Sequence, residues 1–300
     1  MIIRPQSNWL RMLLVWHGSV LPAILPQLLL ILAISLAAVF GHGRIFGERV
    51  PLDTAPFPLL GVSLAIFLAF RNNASYQRYL EARQLWGHML IASRSLTSQA
   101  LAYLPARRVG RRELASRVIA FVHLLRHQLR GSSPDADLAR LLPPALAAEL
   151  RQRAYRPVAV LNGLRRLMRQ TAPDSQTLWM LDGQINSLAD AVGGCERLAS
   201  TPIPYPYGVL LHRTIYAYCF LLPFGLVHAI GAATPLISVF VAYTLFALEA
   251  IAQEIADPFG TAPNSLALEA ICRTIERSVL ELCDLPMPDE ASADKNFRMD

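Results

Sequence analysis

The chain has 300 residues, of which 53% are hydrophobic and 17% charged, and its mean hydropathy is +0.34. Average soluble domains carry about a quarter charged residues, so this balance points to an integral membrane protein with a substantial polar part. The formal charge of +6 is carried almost wholly by arginine, Lys295 being the only lysine, and it implies no nucleic-acid partner. Cys195, Cys219, Cys272 and Cys283 show no CxxC spacing, which excludes a disulfide framework or a zinc motif and leaves reduced, buried thiols.

The N-terminal stretch places Arg4, Trp9, Arg11, Trp16 and His17 ahead of the first apolar run, with no small-x-small cleavage site, and reads as a retained interfacial segment. No Asp, Glu, Lys or Arg occurs from Met12 to Gly43, which predicts a first span over about 23–41. The uncharged run Thr54 to Phe70 predicts a second over about 55–72. From Thr214 to Leu248 only His228 is ionisable, and "GAATP" (231–235) divides that run into a hairpin with spans over about 212–230 and 234–252. The loop between the first two spans balances Arg44 and Arg49 against Glu48 and Asp53, and "GHG" at 41–43 reads as a flexible turn. Residues 71–213 hold 20 of the 28 basic residues against 9 acids, so the positive-inside rule places them, and both termini, in the cytoplasm. Arginine-, alanine- and leucine-heavy usage fits a GC-rich bacterial genome, so the expected setting is a multi-pass protein of a bacterial inner membrane.

Apolar residues at three- and four-residue steps continue the second span into the cytoplasmic part without a break. Further helices are predicted at 111–130, read as amphipathic, on either side of Pro143 and Pro144, over "RPVAVLNGLRRLMRQT", and at 175–201, followed by a "TPIPYPYG" elbow. No convincing alternating strand appears. The fold class is therefore all-α, as one unit over 1–284 with four spans and a helical region over about 73–205. The polar, proline-bearing tail 285–300 is predicted to be disordered.

Within the second span, Val62, Ile66 and Phe70 stack on one face, and Gly61, Ala65 and Ala69 form a neighbouring stripe of small residues. Small stripes let membrane helices approach closely, so the second stripe is a candidate packing surface. The bulky stripe can face lipid, ordinary core, or an axis where a ring of apolar side chains narrows a pore. Periodicity alone does not choose among these.

Three separated blocks carry a resemblance: "GVSLAIFLAFRNNASYQRYLEARQLWG" (61–87), "ERLASTPIPYPYGVLLHRTIYAY" (196–218) and "EIADPFGTAPNSL" (254–266). In order and spacing the chain resembles the bacterial branch of the bestrophin family, ion channels assembled as pentamers about a central pore. The resemblance implies a homopentamer in membrane lipid that conducts small monovalent ions, with Val62, Ile66 and Phe70 as the hydrophobic neck. Val62, the smallest, makes the least occluding ring. A lower cytoplasmic constriction is also implied, with Gln176 and Leu178 as candidates near it. Eukaryotic members bind calcium through acidic residues after the N/D-P-F-G motif. Here Asp257-Pro258-Phe259-Gly260 is followed by "TAPNSLALEA" without an acidic cluster, which stands against calcium activation. Glu254 and Asp257 read as a polar end to the fourth span that caps backbone or pairs with an arginine. The basic cytoplasmic part can attract anions, though total charge does not say which residues face the axis. Because the family includes anion channels, the resemblance implies chloride or another small monovalent anion slightly ahead of a monovalent cation.

Other functions find less support. His123 and His127 lie one helical turn apart and could share a metal, yet no third ligand is evident, and they read as polar residues of an arginine-rich helix. No inverted repeat or charge in the centre of a span suggests a transporter. A non-conducting scaffold is distinguished only by electrical silence. Phosphate loops, dinucleotide glycines and nucleophile triads are absent, so no enzyme activity, catalytic residue, metal or cofactor is implied.

Overall fold

The structure is a computed structural model and describes residues 1–3, 8–13, 15, 16, 18–41, 44, 45, 48, 49, 55–105 and 110–300. Arg4, His17, Asp53 and two residues of the "GHG" turn, singled out above, lie outside the described residues. The chain is an all-α integral membrane protein. Among the described residues three helical stretches, Leu21–Phe40, Pro56–Tyr103 and Tyr205–Ala256, are long and apolar enough to cross a bilayer. Among the described residues the helical pattern is broken by an isolated antiparallel bridge between Ile2 and Arg298 and by a pair of two-residue antiparallel strands, β1 (Arg44–Ile45) and β2 (Glu48–Arg49), which the absence of alternation in the sequence did not predict. Pairs this short need only a tight turn, not a hydrophobic period.

Two compact units share the chain. The first comprises Gln6–Tyr79 and Pro202–Asp257. It holds the short α1 (Trp9–Leu13), α2 (Leu21–Phe40), the start of α3 (Pro56–Tyr103), α9 (Tyr205–Ile230) and α10 (Thr234–Ala256). The 3₁₀ turn Gly231–Ala233 divides α9 from α10 at the glycine-proline signal, where Gly231 takes a positive φ of 53°. The α9 helix begins at Tyr205, so part of the expected elbow is its first turn, with Pro206 tolerated there because it needs no donor. Ile24, Leu28 and Ile31 of α2, Leu64 and Leu68 of α3, Ile215 of α9 and Phe246 of α10 meet in one core. Hydroxyls inside these helices return to their own backbone: Ser35 Oγ donates to Ile31 O at 2.7 Å and Thr214 Oγ1 to Leu210 O at 2.7 Å. Such bonds satisfy groups for which hydrocarbon offers no partner. Gly225 admits the Phe57 ring so closely that a Cβ at that position would collide with it.

The second unit comprises Met1–Pro5, Leu80–Thr201 and Pro258–Asp300. After the remainder of α3 come α4 (Arg111–Arg130), α5 (Asp135–Leu141), α6 (Pro144–Arg151), α7 (Arg156–Thr171), α8 (Ser175–Ser200) and α11 (Leu268–Leu282). Gly131 ends α4 in the left-handed conformation that a Cβ disfavours, and Asp174 caps α8 by accepting from the Thr177 N–H at 2.7 Å. The α4 helix is more deeply buried than an amphipathic helix: residues 118–126 are buried consecutively, because α5, α7, α8 and α11 all pack on it. Residues 285–300, predicted to be disordered, are held within this unit. Ile3 N donates to Phe297 O at 2.9 Å, Ala270 N to Asp300 O at 2.7 Å, and Arg130 pairs with the Asp300 carboxylate at 2.6 Å. All four cysteines are free and buried, and burial pushes the Cys195 and Cys272 thiols up to about 12.

Candidate functional site

The α3 helix fixes the direction of every candidate residue in the second span. Two residues along a helix turn the side chain by about 200°, so a face that buries Leu64 and Leu68 presents Val62, Ile66 and Phe70 on its far side. Leu64 and Leu68 are 2% and 1% exposed, whereas Val62, Ile66 and Phe70 are 61%, 50% and 66% exposed. Among the described residues no other segment covers this bulky stripe. The small stripe divides: Gly61 approaches α9, where an added Cβ would meet the Tyr218 hydroxyl at 3.2 Å, while Ala65 and Ala69 remain exposed.

Directly after Phe70 the helix carries its first charge. Arg71 turns away from the stripe: its guanidinium lies 3.6 Å from Glu249 of α10, with side chains 11% and 9% exposed. His212 Nδ1 of α9 lies 2.9 Å from the same Glu249 oxygen. The residues that follow Phe70 on the exposed side are Asn73 and Gln77, which are uncharged. Nothing in the sequence pattern paired Arg71 with Glu249, because the two lie on different helices far apart in the chain. The only sequence signal was an ionisable residue near the end of each of three apolar runs.

At the other candidate position, Gln176 is exposed and Leu178 half-buried in the first turns of α8, and Trp179 beside them is among the most exposed large side chains of the molecule. Within the first unit Arg78 Nε donates to Ala256 O at 3.0 Å, at the polar end of α10 that also carries Glu254 and Asp257.

His123 and His127 enter a charge network instead of forming an isolated pair. His123 Nε2 lies 3.1 Å from Glu276 of α11 and its Nδ1 3.4 Å from Asp137 of α5, and His127 Nε2 lies 3.0 Å from the same Asp137 oxygen. Arg126 reaches Asp137 at 2.9 Å, and Arg140 bonds both carboxylates. The partners of these acids are therefore guanidinium and imidazole groups. Burial alone would raise the Glu276 carboxyl, but hydrogen bonds from His123 and Arg140 bring it down to about 2. Burial is likewise outweighed at Asp137, which His123, His127 and Arg140 hold well below the usual carboxylate range.

These features define a multi-pass, all-helical membrane protein with an uncovered apolar stripe on one span and an ion-paired helical unit. Residues 1–281 match the bacterial and fungal bestrophin family, and the chain belongs to that family. It is 46% identical to a voltage-dependent anion channel-forming protein of Ralstonia nicotianae over the whole of both chains. It is 41% identical to a voltage-dependent anion channel-forming protein of Escherichia coli K12, again over the whole of both. Among solved structures, a bacterial bestrophin homolog from Klebsiella pneumoniae is 40% identical and superposes with a TM-score of 0.84, covering 88% of this chain and 99% of that one.

Proposed function

We propose that the chain is one subunit of a homopentameric ion channel of the bacterial inner membrane, with Val62, Ile66 and Phe70 of five subunits forming a hydrophobic neck around the axis. The observation that carries this reading is the uncovered stripe itself, in a chain whose relatives are named as channel-forming proteins. Four spans cross the bilayer, since α9 and α10 form a hairpin of two, and both termini and residues 73–205 lie on the cytoplasmic side. A ring of apolar side chains conducts when wetted and closes when it dewets, so the size of the three residues sets the barrier. Gln176 and Leu178 belong to the lower constriction, and Ala65 and Ala69 pack against a neighbouring subunit. Chloride and other small anions are the permeant ions, in keeping with the names of the relatives. A monovalent-cation pathway is the second reading. It is favoured by one observation: the positive charge nearest the stripe, Arg71, is turned toward Glu249, so the exposed side below Phe70 offers neutral amides. Reversal potentials in a planar bilayer under a salt gradient, first with chloride and then with an impermeant anion, decide the sign. A well-folded, electrically silent oligomer would instead indicate a scaffold.

A further inference from the structure

Where α3, α9 and α10 carry Arg71, His212 and Glu249, a cavity of about 560 Å³ opens within the first unit. Its charged wall holds Arg71, His212 and Arg213 beside Glu249 and Asp257, and Ile203, Pro204 and Val209 contribute apolar surface.

The charged wall is incompletely satisfied. Arg71 Nη1 is buried without a hydrogen bond, and the nearest carboxylate oxygen, on Glu249, stands at 3.6 Å, beyond hydrogen-bond range. That same oxygen is engaged by His212 at 2.9 Å. A guanidinium presents five donors, and leaving one of its nitrogens buried without a hydrogen bond costs free energy unless an acceptor is supplied from outside the chain. The second feature is the start of α9, which opens after Pro204 with no side-chain cap: Pro206 has no N–H and Tyr207 N–H donates to Pro204 O at 3.1 Å, so the turn offers the Tyr205 N–H and the positive end of the helix dipole. Pro204, Tyr205 and Gly208 of that turn line the same cavity as Arg71. Gly208 keeps the space open, since a Cβ there would lie 3.9 Å from Arg71 Nη2 and a longer side chain would enter the cavity. An oxyanion with several acceptor oxygens matches a guanidinium and a helix N-terminus together. On the proposed spans the cavity lies where apolar sequence gives way to charge, the depth of lipid headgroups.

We propose that this cavity binds a phosphate oxyanion between Arg71, Arg213 and the first turn of α9, with the apolar surface receiving carbon atoms when the phosphate belongs to a membrane lipid. The proposal goes beyond ion conduction, and its readout is binding, so a silent channel leaves it standing. Delipidated protein in detergent is titrated with phosphatidylglycerol, with diacylglycerol and with inorganic phosphate, and adducts are counted by native mass spectrometry. The expected result is saturable binding of phosphatidylglycerol in preference to diacylglycerol, weakened roughly tenfold or more in Arg71→Gln and in Gly208→Met. Displacement by millimolar inorganic phosphate would identify the free ion as a sufficient ligand, and resistance to it would identify the lipid headgroup as the source. Wild-type protein that binds neither phosphatidylglycerol nor phosphate overturns the proposal, as does equal binding of phosphatidylglycerol and diacylglycerol. Wild-type affinity in Gly208→Met also overturns it, and this variant serves if Arg71→Gln does not assemble.

Discussion

The two parts of α3 obey opposite rules of exposure. Up to Tyr79 the helix buries Leu64 and Leu68 and leaves Leu59, Val62, Ile66, Phe67 and Phe70 uncovered. From Leu80 onward it buries Ala82, Trp86, Met89 and Leu96 and exposes Arg83, Gln84, His88 and Arg94. In the second part hydrophobicity identifies the core, as it does for any helix surrounded by water. In the first part apolar residues lie all round, because lipid is as apolar as the core, and only the contacts within the chain distinguish inside from outside. The same contrast holds for charge. The second unit buries a network of acids, histidines and arginines, whereas the first gathers Arg71, His212 and Glu249 where its apolar stretches end.

The largest effect is expected where burial and charge coincide. Glu276→Leu removes the partner of both His123 and Arg140 and should destabilise the second unit by about 3–5 kcal/mol in chemical unfolding followed by circular dichroism. Acid should weaken the same region. The Glu276 carboxyl is depressed from 4.5 to about 2, so its contribution is complete above pH 4.5 and is lost as the pH falls from there toward 2. Thermal unfolding between pH 6 and 3, compared with Glu276→Leu, checks this, because the variant should lose less of its stability over the acid range.

A smaller effect separates the two faces of α3. Leu68→Ala should cost about 2 kcal/mol through lost packing, whereas Ile66→Ala should change stability by less than about 0.5 kcal/mol in the monomeric fold. Unfolding midpoints in detergent measure both, and equal costs would mean that the exposed stripe is covered after all. Smallest of these is Asp174→Ala, which removes the α8 cap and should cost about 1 kcal/mol by the same assay.

Much of this architecture was legible in the sequence, for local reasons. Gly110 and Gly131 bracket α4, "GAATP" marks the turn between α9 and α10, and no proline interrupts α3 after its first turn. What escaped depends on long-range contacts. His123 and Glu276 are 153 residues apart, so their pairing left no mark in either local pattern. The burial of α4 on all sides depends on four neighbours that periodicity does not reveal. The α11 helix carries a readable stripe, Leu268, Cys272, Ile275 and Val279, in the segment between the Asp257-Pro258-Phe259-Gly260 motif and the tail, where no helix is predicted. For the neck residues, periodicity found the stripe and the structure leaves it uncovered by the chain, while the axis it faces is part of the proposed assembly.

The most direct test of that assembly is single-channel recording of the reconstituted protein with Val62→Ala, Ile66→Ala and Phe70→Ala. Because each substitution widens one apolar ring at a residue that is at least half exposed within the chain, intact oligomers with altered conductance or open probability are expected in every variant, most strongly for Phe70→Ala. Three variants with wild-type currents would contradict it.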